Sequence, residues 1–165
     1  MPQNSRNRQS KPSTASKKVS YSPLTPSLAF QLAAPHTWVA AIMPVLFSIE
    51  YSAITYSGKV SILLALILLA ICILMQSAVN VLNDYFDFKK GTDSVENSSD
   101  DAFDAVLVYN NLNPKSVSAL AIGFLIVAAG MGFYLVYLTG WILLVIGLIG
   151  ALIAVSYTHL RAHET

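Results

Sequence analysis

Residues 60–82 read VSILLALILLAICILMQSAVNVL. The stretch carries no charge, and at ~1.5 Å per residue a helix of this length crosses a hydrocarbon layer of ~30 Å. Inside lipid no water reaches backbone N–H and C=O groups, so the run must satisfy them internally as a helix. Other apolar runs flank it: residues 30–49, with Pro35 near the start and Pro44 within, and residues 117–138. Thr139 and Gly140 then interrupt the pattern before a last run over residues 141–155. One such run fits the core of a soluble protein; four in a chain of 165 residues point to a bilayer. Composition agrees, with 55% apolar and 12% charged residues, against the ~25% charged of ordinary globular domains. The expected fold is all-α, a polytopic transmembrane helix bundle to which this chain contributes four helices.

The net charge of +1 conceals a segregation of charge. Residues 1–27 hold Arg6, Arg8, Lys11, Lys17 and Lys18 and no acid, and are rich in Ser, Pro and Gln. Such a stretch cannot bury a core and is expected to be a disordered basic tail. Lys89, Lys90 and Lys115 follow the second run, whereas only Lys59 lies between the first two. The bias of Lys and Arg toward the cytoplasm then places the N-terminus and the 84–115 loop inside a multi-pass protein of the cell membrane. Trp141, Tyr134 and Tyr137 suit the membrane interface. Cys72, the single cysteine, excludes an internal disulfide framework and sits within an apolar run.

The acids concentrate where the second helix leaves the membrane. Residues 80–93 read NVLNDYFDFKKGTD. On a continued helix Asn80, Asn83, Asp84, Asp87 and Gly91 recur at spacings of three and four and share one face. Like charges at that spacing repel, and partial desolvation raises the cost unless a cation joins them. A set of hard oxygens with open positions suits Mg²⁺, which takes one or two carboxylates together with substrate phosphates. The plain alternative is a solvated helix end with no ligand.

The same residues carry a family resemblance. NDYFDFKKGTD resembles the first aspartate-rich motif of the UbiA superfamily of intramembrane aromatic prenyltransferases, and most nearly the branch acting on 1,4-dihydroxy-2-naphthoate. Asn83, Asp84 and Asp87 match the pattern Asn-Asp-x-x-Asp, and Gly91, Thr92 and Asp93 resemble the Gly-x-Asp of the naphthoate branch. Ala34, Pro35, His36 and Thr37 resemble its Arg-Pro-Lys-Thr, with the basic residues changed. Residues 104–114, DAVLVYNNLNP, lack the arginine that many relatives carry in this loop.

The resemblance covers residues 28–154. It implies a bundle of about nine membrane helices around a central cavity, with a second aspartate-rich motif in a later cytoplasmic loop. It implies Mg²⁺-dependent transfer of a polyprenyl group from a polyprenyl diphosphate to an aromatic acceptor, in menaquinone biosynthesis. Asp84 and Asp87 would be catalytic; Asn83, Asp84, Asp87 and Asp93 would hold the metal, and Asn80, Lys89 and Lys90 the diphosphate. Tyr85, Phe86 and Phe88 could shield an allylic cation, or simply pack. The partners are the two substrates and the lipid bilayer; no nucleic acid is expected.

Residues 155–165, VSYTHLRAHET, resemble a translated sequencing adapter. They are expected to carry no functional meaning, and the chain to be a partial, inactive piece of the enzyme. Two rival classes remain at this stage. A transporter or channel subunit would use intramembrane acids as an ion site, and a membrane-anchored interaction protein would leave the Asn/Asp face unexplained.

Overall fold

The computed structural model describes residues 20–58, 60–91, 105–150 and 152. The long apolar run becomes α3, Ile62–Lys90. Ser61 caps it, its hydroxyl accepting the Leu64 N–H at 3.4 Å, which satisfies one of the orphan donors of the first turn. Gly91 ends it in the left-handed region at φ 75°, where its N–H closes onto Asp87 and Phe88. α3 therefore runs on past the apolar run and carries Asn80, Asn83, Asp84 and Asp87 as helical positions.

The first apolar run is divided. α1, Pro26–Leu32, is capped by Thr25. Ala34 then adopts φ 46°, ψ 67°, followed by a 3₁₀ turn over Pro35–Thr37. α2, Trp38–Thr55, continues from it. The break falls where the sequence demands one, because a residue preceding proline is disfavoured in the right-handed helical region. Pro44 lies inside α2 without ending it. Its missing N–H leaves one carbonyl of the preceding turn without its usual donor.

A short helix α4, Val106–Tyr109, leads through Asn111 at φ 47° into α5, Pro114–Thr139. Pro114 occupies the first turn of α5, and Asn113 caps it by accepting the Lys115 N–H at 3.0 Å. α6, Trp141–Gly150, follows Gly140. Among the described residues three spans are long and apolar enough to cross a membrane: Pro26–Thr55, Ile62–Lys90 and Pro114–Thr139. The fourth apolar run is helical over Trp141–Gly150 within the described residues.

α3 is the central element, packing most extensively on α5 and then on α2. The buried core gathers at its C-terminal end, from Leu32, Val81, Val106, Leu107, Leu112, Val117 and Ala121. Residues 20–25, within the stretch read as polar tail, are tied to this end. The Ser22 N–H donates to Asn111 O at 2.9 Å, the Asn111 amide donates to Ser20 O at 2.8 Å, and Leu24 packs on the core. Away from it the helices present apolar faces outward, with Phe47 63%, Ile54 75% and Tyr137 84% exposed. Such surfaces are stable only against lipid or further protein.

Candidate functional site

The buried end of α3 carries a ladder of polar side chains facing the break in the first span. Asn80 donates through its amide to Ala33 O at 2.9 Å and to the Thr37 hydroxyl at 2.7 Å. Thr37 in turn donates to Ala34 O at 2.9 Å. One turn earlier, the Trp38 indole N–H is shared between Ala33 O at 3.2 Å and Ser77 Oγ at 3.0 Å. Gln76 adds contacts to Thr37 Oγ1 at 3.5 Å and Asn80 Oδ1 at 3.4 Å. The Ala33 carbonyl released by the break thus finds a donor on α3, and the Ala34 carbonyl finds its donors on Thr37, as buried backbone groups must.

One turn further along, the same face opens onto a cavity of about 300 Å³. Asn80, Asn83, Asp84 and Asp87 line one side, Gln31, Leu32, Ala34, His36 and Thr37 the other, and Val106 of α4 contributes a third wall. The two carboxylates differ in setting. Asp84 is 7% exposed, and its Oδ2 accepts the Leu107 backbone N–H at 3.3 Å. Asp87 is half-buried and Asn83 exposed. A larger cavity of about 540 Å³ lies at the opposite end of the helices, between α2, α3, α5 and α6, with Ser52, Tyr56, Ser61, Leu64 and Leu135 in its wall. Its lining contains no carboxylate, so the acid-bearing chemistry resides in the smaller cavity.

Four of the residues singled out by sequence therefore share one cavity: Asn80, Asn83, Asp84 and Asp87. Lys89 and Lys90 do not line it; they are exposed on the last turn of α3, where cations complement the helix dipole. Asp93 lies outside the described residues, as do residues 155–165. Asn80 lines the cavity, but both its amide hydrogens are engaged by Ala33 and Thr37. Sequence reasoning missed Gln31, Gln76, Ser77 and Trp38, and named Thr37 only within the 34–37 resemblance. Polar Gln76 and Ser77 inside an otherwise apolar run were the available signal, since polar groups at membrane depth need partners.

The oxygens present suit a hard divalent cation. Asp84, Asp87 and Asn83 offer carboxylate and amide oxygen to one space. Among the described residues no group of three or more His, Cys, Asp or Glu side chains gathers that could hold a metal. Such a pair is incomplete alone and fits an ion that draws its other ligands from phosphate oxygens and water.

Comparison with known proteins bears on the same residues. The pattern of the UbiA prenyltransferase family matches residues 41–164. The chain is 34% identical over 131 residues to the 1,4-dihydroxy-2-naphthoate octaprenyltransferase of Bacillus subtilis (strain 168). That alignment takes in 79% of this chain but 40% of the relative's length. No solved structure matches. Nothing in these comparisons supports a transporter.

Proposed function

Because this chain belongs to the UbiA prenyltransferase family, we propose that it forms the diphosphate-binding part of an enzyme that transfers a polyprenyl group to an aromatic acceptor, with 1,4-dihydroxy-2-naphthoate as that acceptor. The observation that carries the reading is the convergence of Asn83, Asp84 and Asp87 on one cavity at the polar end of a membrane helix. An isoprenoid tail needs hydrocarbon, and a diphosphate needs cations and hydrogen-bond donors. The end of α3 is where both environments meet.

Asp84, Asp87 and Asn83 would hold Mg²⁺ against the diphosphate. When bound, the ion neutralises charge that builds on the departing diphosphate oxygen, a Lewis-acid role. The Leu107 N–H holds the Asp84 carboxylate in place at the cavity wall. His36 on the opposite wall brings an imidazole to the same space, where relatives of the naphthoate branch carry lysine. The hydrocarbon of the bilayer around the spans would keep water from the allylic fragment. As the C–O bond to the diphosphate breaks and diphosphate departs, a ring carbon of the acceptor forms the new C–C bond, and that carbon sheds the group it carried, as a proton or as carbon dioxide, to restore the aromatic ring.

The test is prenyl transfer by the complete protein in membranes, supplied with a polyprenyl diphosphate and dihydroxynaphthoate. Turnover that requires Mg²⁺ and disappears with Asp87→Ala is expected. Turnover indifferent to chelation would overturn the metal assignment, and absence of any transfer would overturn the reaction.

A further inference from the structure

The geometry points to Thr37 and Asn80 as positioning residues, a latch that holds the strained break of the first span in register with the aspartate face of α3. The inference rests on the prenyl-transfer reading for what is positioned, and on hydrogen bonds for the latch itself.

Ala34 stands at φ 46°, ψ 67° immediately before proline. A non-glycine residue in this region costs about 1–3 kcal/mol and persists only where its surroundings over-determine it. Here the surroundings are specific. The Ala34 carbonyl receives both the N–H and the hydroxyl of Thr37, each at 2.9 Å. The Thr37 oxygen accepts the Asn80 amide at 2.7 Å. The second Asn80 hydrogen reaches Ala33 O at 2.9 Å, beside the Trp38 indole at 3.2 Å. Asn80 is thus joined to both sides of the bend.

The bend and the aspartates are opposite walls of one cavity. Ala34, His36 and Thr37 face Asn83, Asp84 and Asp87 across it, and Asn80 lies one helical turn from Asn83 and Asp84. Without the latch, α1 and the 3₁₀ turn would be free to relax the strain at Ala34 and carry His36 away from the acids. A displacement of about 1 Å in a positioned group is enough to cost about a hundredfold in rate. Asn80 therefore acts through Thr37 and the bend, with its amide hydrogens turned toward protein.

The experiment is a double-mutant cycle in the complete, membrane-inserted protein. Thr37→Val keeps the shape and removes the hub oxygen; Asn80→Ala removes its partner. Each alone should lower kcat/KM for polyprenyl diphosphate by about tenfold to a hundredfold, mainly through kcat. The double variant should fall by less than the product of the two single losses, because both remove the shared Asn80–Thr37 bond. Thr37→Ser, which retains the hydroxyl, should stay within about threefold of the parent. Multiplicative losses in the double variant, or Thr37→Ser as poor as Thr37→Val, would overturn the latch. A parent protein that transfers no prenyl group overturns the functional reading instead. The latch is then decided by thermal unfolding of the same proteins, where coupled losses support it and additive losses refute it.

Discussion

The Asp84 carboxylate reaches from α3 to accept the backbone N–H of Leu107 at 3.3 Å. Leu107 is 1% exposed and sits in α4, within the core that closes the cavity. Asp84 therefore ties the loop helix to the membrane helix as well as facing the cavity. Asp84→Ala should lower stability by about 1–3 kcal/mol by leaving a buried donor without its acceptor. Asp84→Asn keeps a carbonyl oxygen there and should lose turnover with a smaller stability loss. Thermal unfolding in detergent beside prenyl-transfer assays separates the two effects. Equal unfolding temperatures for Asp84→Ala and the parent would remove the structural part.

Gly91 closes α3 at φ 75°, and among the described residues nothing lies within 4 Å of where its Cβ would be. The expected cost of a substitution there is therefore backbone strain. Gly91→Ala should destabilise the protein by about 1–2 kcal/mol, whereas Gly91→Asn should cost less, since Asn visits the left-handed region more readily. Unfolding midpoints of the two variants provide the check. An alanine variant as stable as the asparagine one would mean that α3 ends differently in the complete protein.

Topology follows from the basic residues. Lys89, Lys90 and Lys115 lie at the cavity end of the helices, and the α2–α3 turn around Ser57 and Gly58 lies at the other. The cavity end should face the cytoplasm. With Cys72 replaced by alanine, Ser57→Cys should react with a membrane-impermeant maleimide on intact cells, and Asn97→Cys only after permeabilisation. The reverse pattern would invert the orientation.

What the sequence shows and hides has a physical basis. The helices were legible because lipid leaves the backbone no other choice, and the 80/83/84/87 face because helical spacing needs only local continuity. The bend was not. Its bonds from Asn80 to Ala33 and Thr37 join residues 47 and 43 positions apart, and no local pattern encodes such a pairing. Pro35 marked where the helix must break, but the left-handed Ala34 is stabilised by Thr37 and by neighbours on another helix. Hydropathy also misled at Ser77. It reads there as part of an uninterrupted apolar run, yet its hydroxyl accepts the Trp38 indole N–H and donates to Ile73 O at 2.8 Å. The fourth apolar run was legible in the same way as the other helices, and its described part is helical over Trp141–Gly150.

Asp87 gives the most direct test of the chemistry. It lines the cavity with Asp84 but is half-buried where Asp84 is almost fully enclosed. Its removal should therefore disturb the packing of α4 less than removal of Asp84, which bonds Leu107. A carboxylate that serves as a hard ligand to the cation on a leaving diphosphate contributes mainly in the transition state, where charge on that oxygen is greatest. Asp87→Ala should cost about 4 kcal/mol in activation free energy, or roughly a thousandfold in turnover. Asp87→Asn should be nearly as poor, because an amide oxygen carries no net charge to hold the ion. Asp100→Ala or Asp101→Ala, later in the sequence and outside the 80–87 helical spacing, should cost far less and serve as controls for loss of negative charge. The measurement pairs the level of membrane-inserted protein with Mg²⁺-dependent transfer from a polyprenyl diphosphate to dihydroxynaphthoate, across a range of Mg²⁺ concentrations. A metal ligand predicts that the Asp87 variants need more Mg²⁺ to reach half their own maximum. Near-parental turnover at normal protein level, with an unchanged Mg²⁺ requirement, would end the assignment of Asp87 to the metal.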